Sequence, residues 1–394
     1  MPDGMEFQEI AHSGGQLIIR IGPDHQGRRG YQLTWQNQRP VPAAIFAVYA
    51  LPQGIVVGHR QLGGIGHVPD PPPVPGCFEV FVGSDSEGKF GHQCPECSGY
   101  WRADFGVQFC PYCGIRSEVG NFLTRAQLTY VKEVCARMRE ALEASQNGEH
   151  VIDMDAVADS VGSKEKKPPF YYAEESQQNK FTCEACGAFN DILGRFGYCS
   201  SCGTRNDVQQ LAATIKRIRD RINAGGPYED CVRDSVAAFD SFIGQFVAQL
   251  LNHVPMTPGR RSRFENRRFH NLRSVSADLN EAFDINILDG LMQTEVESAE
   301  LMFHRRHVYE HQGGEADEKY IQDSGDKSVR PKQALHETVE SAHRAAALVL
   351  KMATNLHHGF HEILPPDDAR IRRYAQRGRA GLNAYARRIK DGSV

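Results

Sequence analysis

The stretch CPECSGYWRADFGVQFCPYCG, residues 94–114, has a second copy in CEACGAFNDILGRFGYCSSCG, residues 183–203. In each, two Cys-x-x-Cys pairs enclose twelve residues, and the copies lie 89 residues apart. The likeness runs past the cysteines. Lys89-Phe90 precedes the first copy and Lys180-Phe181 the second, while CGIRSEV closes one and CGTRNDV the other. Self-similarity at a fixed period marks a duplicated structural unit, and the rest of the chain is read outward from it.

Cys94, Cys97, Cys110 and Cys113 form one set, and Cys183, Cys186, Cys199 and Cys202 the other. Two residues between cysteines let a tight turn aim both thiolates at one ion. Two such turns complete a tetrahedral all-sulfur site, which suits zinc. These eight belong to a total of eleven cysteines; Cys77, Cys135 and Cys231 are scattered. Matched pairs of this kind favour metal over disulfides or redox chemistry. A closed four-thiolate site leaves no open position for a substrate, so two structural zinc ions per chain are expected. Both copies resemble the zinc-ribbon class, whose knuckles often read Cys-Pro-x-Cys-Gly; only CPYCG fits that form in full. The resemblance implies a role in binding nucleic acid or protein.

A helical pattern follows each copy. Leu128, Val131, Cys135, Met138 and Leu142 alternate spacings of three and four, as do Val208, Leu211, Ile215, Ile218 and Ile222. That is the narrow seam of paired helices. The two seams are expected to pair with each other or across a dimer, and Cys135 reads as a packing residue.

The 394 residues, 40% apolar and 24% charged, suit two to three globular domains. A net charge of −4 excludes a polycation, so any nucleic-acid binding must act through local patches. The start, MPDGMEFQEIAHSGG, has no basic and apolar leader pattern. The most apolar run, VPAAIFAVYAL, is too short to span a bilayer. A soluble, cytoplasmic protein with no membrane partner is expected.

Before residue 90, QLIIRIG, YQLTWQN, AAIFAVYAL and CFEVFVG read as strands separated by Gly and Pro turns. GGIGHVPDPPPVPG is a loop, and without a following Gly-Lys-Ser/Thr it is no phosphate loop. Residues 146–180 read as a polar connector in which HVIDMDAVADSV is either a strand or a short helix. Beyond it, Val232, Val236, Phe239, Ile243, Phe246 and Leu250 mark one long helix. Leu335, Val339, Ala342, Ala346, Val349, Ala353 and Leu356 mark another, with Pro331 near its start and Pro365-Pro366 at its end. Residues 276–310 read as helix broken near DINILDG, and the set makes a bundle. Two basic clusters, GRRSRFENRRFHNLR and the tail from Pro365, are either solvated surface or single-strand nucleic-acid contacts. Interleaved Phe264, Phe269, Tyr374 and Tyr385 supply the rings that such contacts need.

The stretch RRHVYEHQGG, residues 305–314, carries the densest chemistry. Arg306, followed by four residues and His311, matches the Arg-x4–6-His signature of HEPN-domain ribonucleases, and His307 fits the polar position after the arginine. HQGGEADEKYIQDSGD is similar to the loop that trails the motif in that family. The resemblance covers 228–363. It implies a dimer through the bundle, an RNA substrate and attack by the 2′-hydroxyl, with Arg306 holding phosphate and His311 as acid or base assisted by His307. It also implies a toxin or antiviral defence effector, with an antitoxin or other defence protein as partner. The residue types suit that chemistry, since histidine titrates near neutrality and arginine's fixed fork holds developing negative charge. Five residues of ideal helix rotate by about 140°, so Arg306 and His311 do not share a face unless the helix gives way at Gly313-Gly314. Glu300, His304, His307 and His311 do share one, which makes a metal site the rival reading. A non-catalytic adaptor binding nucleic acid or protein is the other alternative.

The expected organisation is multidomain α+β. It comprises a β-rich domain 1–90, zinc ribbon plus helix 91–145, connector 146–180, zinc ribbon plus helix 181–225, an all-α HEPN-like bundle 228–363 and a basic tail 364–394.

Overall fold

The computed structural model describes residues 8–9, 15–36, 44–61, 72–84, 87–144, 146–154, 156–157, 172–173, 179–265 and 271–378. The chain is mixed α+β with a helical C-terminal half. It divides into two compact units, one comprising residues 1–203 and 368–394, the other 204–367. Among the described residues, no helix is long and apolar enough to cross a membrane.

In the first unit, β2 (Gln16–Pro23) lies between β3 (Arg29–Gln36) and β9 (Gly148–Asp153), all antiparallel. A second antiparallel sheet sets β4 (Ile45–Ala50) between β5 (Val56–Gln61) and β6 (Phe78–Gly83). The short β1 (Gln8–Glu9) pairs with β10 (Tyr172–Ala173). Helix α1 (Arg125–Glu143), opened by a capping box between Thr124 and Gln127, packs on β2, β6 and β9. Alternate residues Leu17, Ile19 and Ile21 of β2 and Phe78, Val80 and Val82 of β6 point into one core with Phe46, Trp101, Val131, Cys135 and Met138. Burial drives the Cys135 thiol up to about 12, in keeping with a packing residue.

The duplicated stretches supply the third sheet. Hairpin β7 (Phe90–Gln93) and β8 (Tyr100–Ala103) belongs to the first copy, and β11 (Asn179–Thr182) and β12 (Phe189–Ile192) to the second. The order is β11-β12-β8-β7, so the copies join edge to edge through β8 and β12. Arg102 lies opposite Asp191, and these occupy the same place in the two copies. A local two-fold axis therefore passes between them. The next contacts obey it. Phe109 N–H donates to Ser200 O at 2.9 Å, and Tyr198 N–H donates to Pro111 O at 2.9 Å, each bond the symmetry mate of the other. On the axis, Arg102 Nη1 meets Asp191 Oδ2 at 2.8 Å, with side chains only 4% and 0% exposed.

The second unit is helical. Its members are α2 (Asp207–Asn223), α3 (Tyr228–His253), α4 (Pro258–Glu265), α5 (Leu272–Phe283), α6 (Gln293–His311), α7 (Glu318–Ser324) and α8 (Val339–Ile363). Helix α3 packs against α2, α6 and α8, and every residue of its apolar stripe from Val232 to Leu250 is buried. The break near DINILDG falls between α5 and α6, where Asp284 takes a left-handed conformation. Helix α8 ends one residue before Leu364-Pro365-Pro366.

The seams find other partners within the chain: α1 packs on the sheets of the first unit and α2 on α3 and α8. Segment 181–225 is thus shared between units, with its cysteine copy in one and its helix in the other. In the connector 146–180, HVIDMDAVADSV, read as a strand or a short helix, begins as a strand, the second half of β9. The basic tail is partly structural. Residues 368–378 form a helix of the first unit, where Arg370 Nη1 donates to Gly106 O at 2.6 Å and Ser201 Oγ at 2.8 Å. Arg267, Arg268, Phe269 and Tyr385 lie outside the described residues.

Candidate functional site

Each cysteine set converges. Cys94 and Cys113 Sγ lie 3.6 Å apart, as do Cys97 and Cys110, while Cys183–Cys202 and Cys186–Cys199 measure 3.8 and 3.6 Å. Sulfurs about 2.3 Å from a tetrahedral ion stand about 3.8 Å from one another, so both sets can hold a metal. The backbone builds the two sets alike. Ser98 N–H donates to Cys94 O and Gly187 N–H to Cys183 O; Gly114 N–H donates to Cys110 O and Gly203 N–H to Cys199 O. The thiols in each set cannot all keep their protons. A hydrogen bond from Cys110 holds Cys113 down to about 5, and Cys183 pushes Cys186 down further in the same way.

A cleft of about 270 Å³ opens in the second unit beside the C-terminal half of α6. Phe303, Val236 and Val308 form its apolar wall, and His304, Arg306, His307 and Lys319 its basic side. Asp240, Asp317 and Asp323 also line it. Asp317 is committed in part, since it accepts from Gln312 Nε2 and Tyr320 N–H, both at 2.6 Å. Desolvation, reinforced by His311, Arg306 and Lys319 and opposed by Asp317, lowers the His307 pKa from its usual value.

Helix α6 ends at His311, and the N–H groups of Gln312 and Gly314 both return to Val308 O. Gly313 and Gly314 have φ of 62° and 87°, a conformation that glycine adopts without strain. The structure brings Arg306 and His307 to the cleft together. His311 is not part of its lining; it sits on the exposed helix end, its ring 4.8 Å from that of His307. The rival stripe does not close on an ion. Among the described residues only the two cysteine sets gather three or more ligand groups, and Glu300 is engaged by Arg273.

The neighbouring arginines divide the work. Arg305 turns the other way, to Glu337 and Asp326 at 3.1 Å each, in a network joined by Tyr309 and Tyr320 hydroxyls. That network ties the loop of residues 312–338 onto α6 beside the cleft. Sequence reasoning missed Asp240 and Lys319, which come from α3 and α7 and carry no local pattern. It missed Arg305 because a motif does not say which of two arginines points where.

Comparison with protein-family models, curated proteins and solved structures finds no match to this chain.

Proposed function

We propose that the chain is a HEPN-type, metal-independent endoribonuclease carrying two structural zinc ribbons, active as a homodimer in toxin-like or antiviral defence. The observation that supports this most is the shared placement of Arg306 and His307 in one cleft at the end of a bundle helix. A neutral imidazole can take the proton of a 2′-hydroxyl as that oxygen attacks the adjacent phosphorus. The bond to the 5′-oxygen breaks, a 2′,3′-cyclic phosphate forms, and an acid returns a proton to the leaving oxygen. Arg306 holds the charge that builds on the phosphate oxygens. His311, whose ring lies 4.8 Å from that of His307, would serve as that acid from its own or the partner copy. Zinc on the eight cysteines supplies only structure, because four thiolates fill its coordination.

RNA incubated with the pure protein and EDTA tests this reading. Wild type should leave 2′,3′-cyclic phosphate ends, whereas Arg306→Ala, His307→Ala and His311→Ala should each leave RNA intact. Equal cleavage by wild type and Arg306→Ala overturns it. The second reading is a non-catalytic adaptor that binds nucleic acid or protein, and the three aspartates at the cleft, which repel phosphate, are the observation that counts against cleavage there. The adaptor reading predicts salt-dependent binding indifferent to His311→Ala.

A further inference from the structure

We propose that one edge of helix 368–378, formed by Arg373, Tyr374 and Arg377, is a docking surface for single-stranded RNA. The choice of RNA rests on the function proposed above; the surface itself rests on four observations.

First, the helix is held in place. Arg370 ties it to the first cysteine copy through Gly106 O and to the second through Ser201 Oγ, and Ile371 packs against the core of the first unit. Side chains on an anchored helix lose less freedom on binding than those of a loose tail. Second, the seat of Tyr374 is specific. A Cβ on Gly187 would meet the Tyr374 ring at 2.3 Å, so the ring lies directly on the backbone of the second knuckle. The equivalent residue of the first copy is Ser98, whose side chain bars a ring from that position. With one face seated, Tyr374 remains 46% exposed, which leaves an aromatic surface for a base to stack on.

Third, Arg373 and Arg377 are four residues apart and so stand on one edge of the helix, on either side of Tyr374 along the axis. Successive phosphates of an extended strand need such a row of cations. Fourth, these charges are unclaimed by acids. Some exposed arginines find carboxylates, as in Arg137–Glu133, Arg221–Asp234, Arg233–Asp230 and Arg261–Glu265. Among the described residues, Arg373 and Arg377 make no ion pair, in a chain where Asp and Glu outnumber Lys and Arg by 49 to 45. A row of cations for the backbone and one fixed ring for a base are the elements of single-strand binding.

Fluorescence anisotropy with a labelled uridine oligomer tests the surface, using the full chain carrying Arg306→Ala so that the probe stays whole. Adding Arg373→Gln and Arg377→Gln should weaken binding and flatten the dependence of log K on log salt by about 1.4, at about 0.7 for each lost phosphate contact. Tyr374→Ala should weaken it about tenfold without changing the slope, and Tyr374→Phe should restore it. Bound zinc and thermal midpoint should match the parent in the double arginine variant and in Tyr374→Phe, which keep the ring seated on Gly187. An unchanged affinity and slope in the double arginine variant overturns the proposal, as does equal competition by duplex DNA. The result is independent of the nuclease reading: a chain that cleaves nothing but binds through these three residues refutes the enzyme and keeps the surface.

Discussion

Replacing Asp191 by alanine is expected to cost about 3 kcal/mol of stability, a figure set by the surroundings of Arg102. The guanidinium is 4% exposed and bonds Asp191 at 2.8 Å, and Asp191 is fully buried. Removing one member of such a pair leaves an uncompensated charge, at a cost of about 3–5 kcal/mol. Glu87 moderates it, since its carboxylate meets Arg102 Nη2 at 3.0 Å; it is half exposed, though, and a pair of that kind contributes only about 0–1 kcal/mol. The lower end of the range follows. The paired substitution Arg102→Met with Asp191→Leu removes both charges and fills the space, so it should cost about 1 kcal/mol or less. Urea unfolding of zinc-loaded wild type, single and double variants measures all three. Because the pair lies where the two copies join, the single variant should also release zinc faster to a chelator. A single variant that loses under about 1 kcal/mol, or a double variant less stable than the single, would show that the buried charges do not control the joint.

The other predictions concern single groups. Arg305→Met should destabilise the helical unit by about 3 kcal/mol, since it strands Glu337, 1% exposed, and Asp326, 5% exposed; Arg306→Ala should leave the melting point near that of wild type while removing RNA cleavage. Elemental analysis should find about two zinc ions in the wild type, and Cys94→Ser or Cys183→Ser should each lose at least one. Burial holds His357 down to about 3 and His361 to about 4, against 6.5 for an ordinary imidazole. Between those values the unfolded chain binds more protons, so stability is complete above about 6.5 and falls as the pH drops toward 3. Urea midpoints at about pH 7.5 and about pH 5 should show that decline, and His357→Phe should reduce it.

The cysteine sets were legible because metal geometry is local: two thiolates and a tight turn fit in four residues. Strand β3 announced itself by alternation, β2, β4 and β6 as apolar runs between Gly and Pro turns, and α3 by its period. What escaped was decided at long range. VVGHRQ carries no strand signal and HVID an ambiguous one, and both are strands because β4 and β2 offer them an open edge. The repeat showed that there were two copies; it did not show that they join, because the joining strands carry the polar residues Arg102, Asn190 and Asp191. The seams of α1 and α2 displayed a true apolar face, but a face does not name its partner. At the cleft, the motif located Arg306 and His307, while Asp240 arrived from a helix more than sixty residues earlier.

The return of residues 368–378 to the first unit has a consequence for biosynthesis. A ribosome makes residues 1–203 first, then the whole helical unit, and only afterwards the helix that carries Arg370 and Ile371. The unit translated first is therefore completed last. Until residues 368–378 emerge, the Gly106 carbonyl and the backbone at Gly187 lack the groups that cover them, while the helical unit, contiguous in sequence, can already close. A chain stopped just after Pro366 would appear to lose only a basic tail. It would in fact leave the first unit unfinished.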